Sequence, residues 1–369
     1  MDRPDKNKRV LLAMSGGVDS STAAIILKSQ GFEVIGVTMK LWQPDEGSTF
    51  GVKGCCSVES ARDAKYICHK LGVPHYSIDY RTRFKKAVIN NFIDEYFAGR
   101  TPNPCIRCNT FLKWGELIKL GEQLDAYYIA TGHYAEICYD RQSDEYWLTK
   151  GIDISKDQSY ALWGIHRDLL SRTLFPLGSM KKTQIRELLK ENDVYFSEKE
   201  ESQEICFIPD NDLSGFLKKA ASYRGIEIKK NVIRDGDGNI IGEHNGFIHY
   251  TIGQRKGLGI SHHVPLYVTA IDPVNNELVV TENGNLNSHS CNVKALNWLM
   301  RTPEIDSDIR FNVKIRYRHQ AASARCHILD GNDVRVNFEN PQRAVTPGQS
   351  AVFYKDNRVC GGGIIDAVE

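Results

Sequence analysis

The chain has 369 residues, 41% apolar and 25% charged, and its 47 basic and 46 acidic side chains leave a net charge of +1. That length allows two or three units, each with its own core, and the charge balance excludes nucleic-acid binding through a global positive field, leaving local patches. The charged start Met1 to Arg9 precedes only a short apolar run, Val10 to Met14, and nothing approaches the roughly eighteen apolar residues of a membrane span, so a cytoplasmic protein with no membrane contact is expected.

The first half alternates strand and helix signals. Arg9 to Met14 predicts an apolar strand, Ser20 to Gln30 a helix closed by Gly31, and Glu33 to Leu41 a second strand. A helix over Ser57 to Leu71 ends at Gly72; His75 to Tyr80 is a third strand, Arg83 to Phe97 a long helix, and Ala126 to Thr131 another strand. Strands spaced by helices predict an α/β fold with a doubly wound, mainly parallel sheet, whose ligands sit at the carboxyl ends of the strands. Beyond about residue 210 the texture changes. Asp235-Gly-Asp-Gly-Asn and Glu243-His-Asn-Gly read as hairpin turns, and strands are expected at Asn312 to Tyr317, Asp333 to Phe338 and Ser350 to Tyr354. The expected division is an α/β domain over 1–210, a small central β-rich domain over 211–287 and a C-terminal β-barrel over 288–369.

Met14-Ser-Gly-Gly-Val-Asp-Ser-Ser21 joins the first strand to the first helix. Two glycines let the backbone approach an anion, and the helix behind them aims unpaired N–H groups at it. Ser15, Ser20 and Ser21 add hydroxyl donors, and Asp19 is placed to hold Mg2+. The Gly-Lys-Ser/Thr ending of a Walker loop is missing. A serine-capped helix after a glycine turn is the plainer alternative. The whole string resembles the PP-loop of the N-type ATP pyrophosphatases, which cleave between the α- and β-phosphates, adenylate a substrate and release pyrophosphate. That resemblance implies an adenine nucleotide alpha hydrolase-like domain that binds ATP with Mg2+. Its nucleotide residues would be Ala13, Met14, Ser15, Gly16, Gly17, Val18, Asp19 and Ser20, with Met39 and Gly132 gripping the adenine. Taken without it, Met39 reads as core and Gly132 as a turn.

Ten cysteines are scattered along the chain. Cys68, Cys138, Cys291, Cys326 and Cys360 stand alone and read as small buried side chains. Cys55 and Cys56 precede a helix, either as accessory thiols or as small residues at its start. Thr101-Pro-Asn-Pro-Cys-Ile-Arg-Cys-Asn109 carries Cys105 and Cys108 as C-x-x-C, and Glu201-Ser-Gln-Glu-Ile-Cys-Phe-Ile208 carries Cys206. On spacing alone the pair could be half a zinc site, a redox pair or two unrelated thiols. An adenylated carbonyl, however, needs a sulfur nucleophile to displace AMP, carried as a persulfide or on an iron–sulfur cluster.

Several strings in order extend the likeness over nearly the whole chain: Met14 to Ser21, Thr101 to Asn109, Ala130 to Tyr134, Lys156 to Tyr160, Ser202 to Ile208, Tyr250 to Gly259 and Arg316-Tyr-Arg318. They resemble the MnmA family of tRNA 2-thiouridylases. The resemblance implies adenylation of the C2 carbonyl of a wobble uridine, then sulfur transfer. Cys108 would be the nucleophile and Cys206 the persulfide carrier, the two becoming a disulfide when sulfur leaves. Many relatives have an acid–base aspartate where this chain has Cys105. Cys105, Cys108 and Cys206 could instead hold a 4Fe–4S cluster, as in TtuA-type thiolation enzymes. An upstream sulfur donor is also implied: a sulfur-carrier protein, a cysteine desulfurase or sulfide.

Between Arg310 and Arg325 lie five Lys or Arg residues and no acid. Lys314, Arg316 and Arg318 are expected to share one face of a strand, opposite Val313, Ile315 and Tyr317, either as a phosphate-binding stripe or as a solvated face. By resemblance Arg316, Tyr317 and Gln349 meet tRNA, as do Lys156, Asp157, Gln158 and His133, while Asn103, Pro104 and Cys105 border a flipped target base. Two other classes compete with this reading. A different PP-loop ligase, such as an argininosuccinate or amidotransferase synthetase, has no use for the grouped thiols, and a non-catalytic RNA-binding protein has none for an intact loop.

Overall fold

β1 (Arg9–Ala13) is apolar along its length because both its faces are covered. Val10 and Leu12 enter one core cluster and Leu11 another, as a two-residue side-chain period requires. The computed structural model describes residues 8–42, 58–197, 199, 205–282, 286–329 and 333–369; Cys55 and Cys56 lie outside the described residues, as do Glu201 to Glu204.

From β1 the chain runs through α1 (Val18–Ser29), β2 (Glu33–Lys40), α2 (Val58–Lys70) and β3 (His75–Asp79). A long helical stretch follows: α3 (Arg81–Phe84), a wider π-helical turn over Lys85–Ile89, and α4 (Asn90–Phe97). A second has the same form, with α5 (Pro104–Arg107), a π-helical segment Cys108–Glu116 and α6 (Leu117–Gln123), before β4 (Tyr128–Ala130). The hairpin β5 (Ala135–Asp140) and β6 (Glu145–Lys150), the short β7 (Thr173–Leu174) and α7 (Lys182–Glu191) complete this part.

Strands β3, β2, β1, β4 and β7 form one sheet in that order, every pairing parallel. Ala23, Leu27, Ile67, Ile185 and Leu189 bring α1, α2 and α7 onto one face. Phe84, Val88, Phe92, Leu112 and Leu117 bring α3, α4, α6 and the two π-helical segments onto the other. Chain order reverses between β1 and β4, so a crevice opens at their carboxyl ends. The loops after these two strands are the candidate nucleotide and adenine segments.

After α8 (Leu213–Tyr223) the central sheet consists of β8 (Asn231–Arg234), β9 (Ile240–His244), β10 (Tyr267–Asp272) and β11 (Glu277–Thr281), in the order β10-β11-β8-β9. Ile233, Val268, Leu278 and Val280 are its core. The Asp235 turn is the expected hairpin: the carboxylate accepts the N–H groups of Asp237 at 3.0 Å and Asn239 at 2.8 Å. Glu243-His-Asn-Gly is not one. The His244 ring accepts the Gly246 N–H at 3.0 Å and bends the chain into a helical turn over Phe247–His249.

The barrel uses β12 (Asn287–Trp298), β13 (Asp308–Lys314), β14 (Ala322–Ile328), β15 (Val334–Arg343), β16 (Ser350–Lys355) and β17 (Arg358–Val368). Their order is β12-β15-β14-β13-β16-β17, closed by β12 pairing with β17. The sheet does not stop there, since β17 also pairs with β6, through Arg358 and Thr149. The hairpin thus belongs to the first part in sequence and to the barrel in space. One sequence expectation is corrected. The strand containing Lys314 ends there, and Arg316, Tyr317 and Arg318 lie in the turn before β14, where the His319 N–H reaches the Arg316 carbonyl at 3.1 Å. Inward alternation stops with Val313 and Ile315, and Tyr317 is 42% exposed.

Candidate active site

Met14 is held to β2 twice. Its N–H donates to Val37 O at 2.8 Å, and its carbonyl accepts the Thr38 hydroxyl at 3.0 Å. Gly16 follows with φ of 71°, and a Cβ there would stand 1.8 Å from the carbonyl oxygen of Ser60 in α2. Gly17 caps α1 without a side-chain hydrogen bond, so the first N–H groups of the helix face outward for an anion. Ser20 Oγ lies 3.2 Å from Ser15 N, Ser15 Oγ and Gly17 O. Ser21 Oγ is buried with no hydrogen-bond partner among the described residues. Val18 is core. This donor-lined turn suits a phosphate chain.

On the other side of the crevice, Gly132 ends the stretch after β4 against α1. A Cβ on it would come within 2.9 Å of the Asp19 backbone, so glycine is what lets the two loops touch. Met39 is 8% exposed and sits in the core cluster that contains Tyr80 and Phe84.

Asp19 is already engaged. Its Oδ1 accepts Lys182 Nζ at 2.6 Å and the Tyr134 hydroxyl at 2.7 Å. Sequence reasoning missed Lys182, which opens α7, because nothing local marks a lysine 163 positions from its partner. Its ammonium also lies 5.5 Å from the centre of the Tyr134 ring, and its side chain is only 11% exposed. A cation so placed is the natural counter-charge for a phosphate entering the loop. Lys182→Ala is therefore expected to lower ATP-dependent pyrophosphate release about 10²-fold with tRNA binding unchanged, measured by a coupled pyrophosphate assay and by filter binding.

The thiol helix starts with a side-chain cap. Asn103 Oδ1 accepts the N–H groups of Cys105 at 3.1 Å and Ile106 at 3.4 Å, and Pro104 occupies the first turn. Cys105 is exposed and Cys108 half-buried. Cys108 opens the π-helical segment, a widening often found at functional sites. The helix is pinned by Arg107 Nε to Ala87 O at 2.9 Å and by Asn109 Nδ2 to Ala161 O at 2.8 Å. Cys206 is half-buried, and it and Cys108 pack against the same apolar cluster, which includes Phe84, Phe92 and Phe207. Phe207 meets Phe92 edge-on at 5.2 Å, seating the Cys206 segment on the α3–α4 stretch. Among the described residues no three His, Cys, Asp or Glu side chains are grouped to hold a metal ion. Cys68, Cys291, Cys326 and Cys360 are buried and Cys138 half-buried, and burial pushes the Cys68 and Cys291 thiols up to about 12.

His133 lies between the turn after β4 and the thiol helix. Lys113 Nζ is 3.4 Å from its Nε2 and Thr131 Oγ1 is 2.6 Å from Nδ1. With lysine donating to Nε2, the proton belongs on Nδ1. Burial and the Lys113 charge hold its pKa well below 6.5, so the ring is neutral. Asp157 points inward, taking N–H groups from Gly151 at 3.3 Å and Ser159 at 3.1 Å. Gln158 accepts the Tyr134 N–H at 3.0 Å. Of that trio, Asp157 is buried and Lys156 and Gln158 are half-exposed.

The barrel is keyed to the thiol loop. Gln349 Nε2 donates to Thr101 O at 2.8 Å, and the Thr101 N–H donates to Pro347 O at 2.9 Å. Arg100 reaches Asp366 at 3.0 Å. Arg316 reaches the Arg343 carbonyl at 2.7 Å, and Lys314 Nζ sits 5.6 Å from the centre of the Tyr317 ring. Burial lowers the pKa of both cations.

A parallel sheet of this order with a donor-lined glycine turn at its switch point defines an ATP-handling α/β domain of the HUP class. Residues 8–210 match the family described as the tRNA methyl transferase HUP domain. Residues 216–282 match the tRNA methyl transferase PRC-barrel domain and 288–365 the aminomethyltransferase β-barrel domain. The chain is 46% identical over 362 residues to the tRNA-specific 2-thiouridylase MnmA 2 of Caldanaerobacter subterraneus subsp. tengcongensis, covering 98% of each chain. It is 45% identical over 360 residues to the tRNA-specific 2-thiouridylase MnmA of Clostridium kluyveri, covering 98% of this chain and 99% of that one. The chain belongs to the MnmA family of tRNA-specific 2-thiouridylases.

Proposed function

We propose that this protein thiolates the wobble uridine of tRNA at the expense of ATP. The uridine O2 attacks the α-phosphorus of ATP held in the Ser15 to Ser20 loop, and pyrophosphate leaves. The terminal sulfur of a Cys206 persulfide then attacks C2, the C2–O bond breaks, and AMP departs with the former O2. The Cys108 thiolate attacks the inner sulfur of Cys206; the S–S bond to the uridine breaks, leaving 2-thiouridine and a Cys108–Cys206 disulfide. Two equivalents of an external thiol reduce that disulfide, and a persulfide-bearing sulfur-carrier protein or cysteine desulfurase passes its outer sulfur to the Cys206 thiolate; with sulfide as donor, the sulfide instead attacks Cys206 Sγ of the disulfide, which breaks to give the Cys206 persulfide and the Cys108 thiolate. Mg2+ would arrive on the ATP phosphates. The alternative carrier, a 4Fe–4S cluster on Cys105, Cys108 and Cys206, would supply the sulfur in place of the Cys206 persulfide.

The observation that carries this proposal is the Gln349–Thr101 bond. It holds the barrel beside the loop leading to Asn103, Pro104 and Cys105, where a flipped base would be offered. Arg316, Tyr317, Lys156 and His133 are the accompanying tRNA contacts, and the cytoplasm, with its tRNA pool, is the expected location. Among the described residues no helix is long and apolar enough to cross a membrane. Mass spectrometry of tRNA from a deletion strain tests the activity: wobble 2-thiouridine is expected to vanish and to return with the wild-type chain. Undiminished 2-thiouridine would defeat it. Anaerobic reconstitution with iron and sulfide separates the two sulfur routes, because uptake of about four irons per chain would replace the persulfide by a cluster.

A further inference from the structure

The string Tyr250 to Gly259 has no part in the chemistry above, yet it builds a rigid, basic surface. Gln254 organises it: Oε1 accepts the Thr251 N–H at 3.1 Å, and Nε2 donates to Lys256 O at 3.0 Å. The backbone is anchored to β10 by Gly253 N to Val268 O at 2.7 Å and Val268 N to Gln254 O at 3.0 Å. Arg255 and Lys256 are left exposed on a fixed frame. From His244 through Ile271 the chain has no acidic residue. A groove of about 360 Å³ lies alongside, lined by Arg255, Gly257, Gly259, His262 and His263, the two histidine rings 4.2 Å apart. A Cβ at Gly259 would meet nothing within 4 Å, so this backbone is open to a ligand.

This surface joins the barrel patch. The Arg343 guanidinium lies 5.0 Å from the centre of the Tyr267 ring in β10. Its carbonyl takes the Arg316 guanidinium at 2.7 Å. Gly253 faces Ala344, where an added Cβ would stand 2.9 Å away. The segment carrying Lys314, Arg316 and Arg343 is thus joined, through Ala344 and Gly253, to the loop that carries Arg255 and Lys256.

We propose that the Arg255–Lys256 loop of the central domain, continued by Arg343, is an RNA phosphate-binding site that extends the tRNA contact of the barrel. It rests on the tRNA-modifying function above and adds a second, sequence-independent anchor to it. A run of cations on a preorganised loop recognises the regularly spaced charge of a nucleic-acid backbone. Two neutralised phosphates should appear in the salt dependence of binding.

The test is filter binding of full-length substrate tRNA to the full chain over a salt series. Arg255→Gln/Lys256→Gln is expected to weaken binding roughly tenfold and to flatten the slope of log K against log salt by about 1.8. Arg343→Gln should flatten it by about 0.9. The control Lys229→Gln/Lys230→Gln, on the approach to β8, should leave the slope unchanged. Unaltered affinity and slope in the loop variant would overturn the proposal, as would an equal loss in the control pair. Normal tRNA binding with a collapse of donor-dependent turnover would assign the loop to a protein partner and overturn it too. Wild-type chain that binds no tRNA would instead remove the function on which the proposal rests.

Discussion

Cys108→Ala is expected to abolish thiolation, by on the order of 10³-fold or more, while pyrophosphate release from ATP and tRNA continues. The two readouts should separate because the proposed adenylation site, the Ser15 to Ser20 loop with Lys182, lies on other elements, whereas Cys108 opens the π-helical segment of the thiol helix. The fold should survive. Cys108 lies at the edge of its apolar cluster and is half-buried, so losing the sulfur costs about 1 kcal/mol. In the proposed order Cys206 still carries a persulfide in this variant, detectable as an added 32-dalton mass (roughly one sulfur atom) on its peptide. Cys206→Ala should lose both the added mass and the thiolation. Normal 2-thiouridine from Cys108→Ala, read by nucleoside mass spectrometry, would end its assignment as nucleophile.

Gly16→Ala should act earlier, on the nucleotide itself. Two penalties coincide there. A side chain at φ of 71° costs about 1–2 kcal/mol, and a Cβ placed 1.8 Å from Ser60 O forces apart the loop and α2, at about 1–3 kcal/mol more. Together they should weaken ATP binding by about 10²-fold, read by calorimetry. Gly31→Ala is the matched control. Its φ is 79°, but its Cβ would meet nothing within 4 Å, so it should lower stability by about 1 kcal/mol and leave ATP affinity alone. Equal effects on ATP at both positions would mean that the contact with Ser60 is irrelevant.

The nucleotide loop was legible because its chemistry is local: turn, donors and helix start fall within Met14 to Ser21. The parallel sheet was legible for a similar reason, since β1 and β2 are apolar on both faces and separated by a helix with a glycine stop. Residues acting across the fold were not. Lys182 and Tyr134 meet at Asp19 from distant elements, and Lys113 is set against His133 by the packing of the thiol helix. The stripe Lys314, Arg316 and Arg318 was misjudged because strand alternation was carried past Lys314, where the chain turns. Asp157, named by resemblance among the tRNA contacts, has its carboxylate turned inward to the Gly151 and Ser159 N–H groups, which no local pattern announces.

By itself the sequence determined the order of the elements from β1 to α4, the glycine turn between β1 and α1 and which cysteines stand in groups, since all of these rest on short-range periodicity and spacing. Only the tertiary structure decided that the barrel closes β12 on β17, takes in the β5–β6 hairpin, and locks Gln349 onto Thr101 beside the thiol helix. Such contacts are set by which faces bury together, and no local pattern encodes the distance in sequence between the partners.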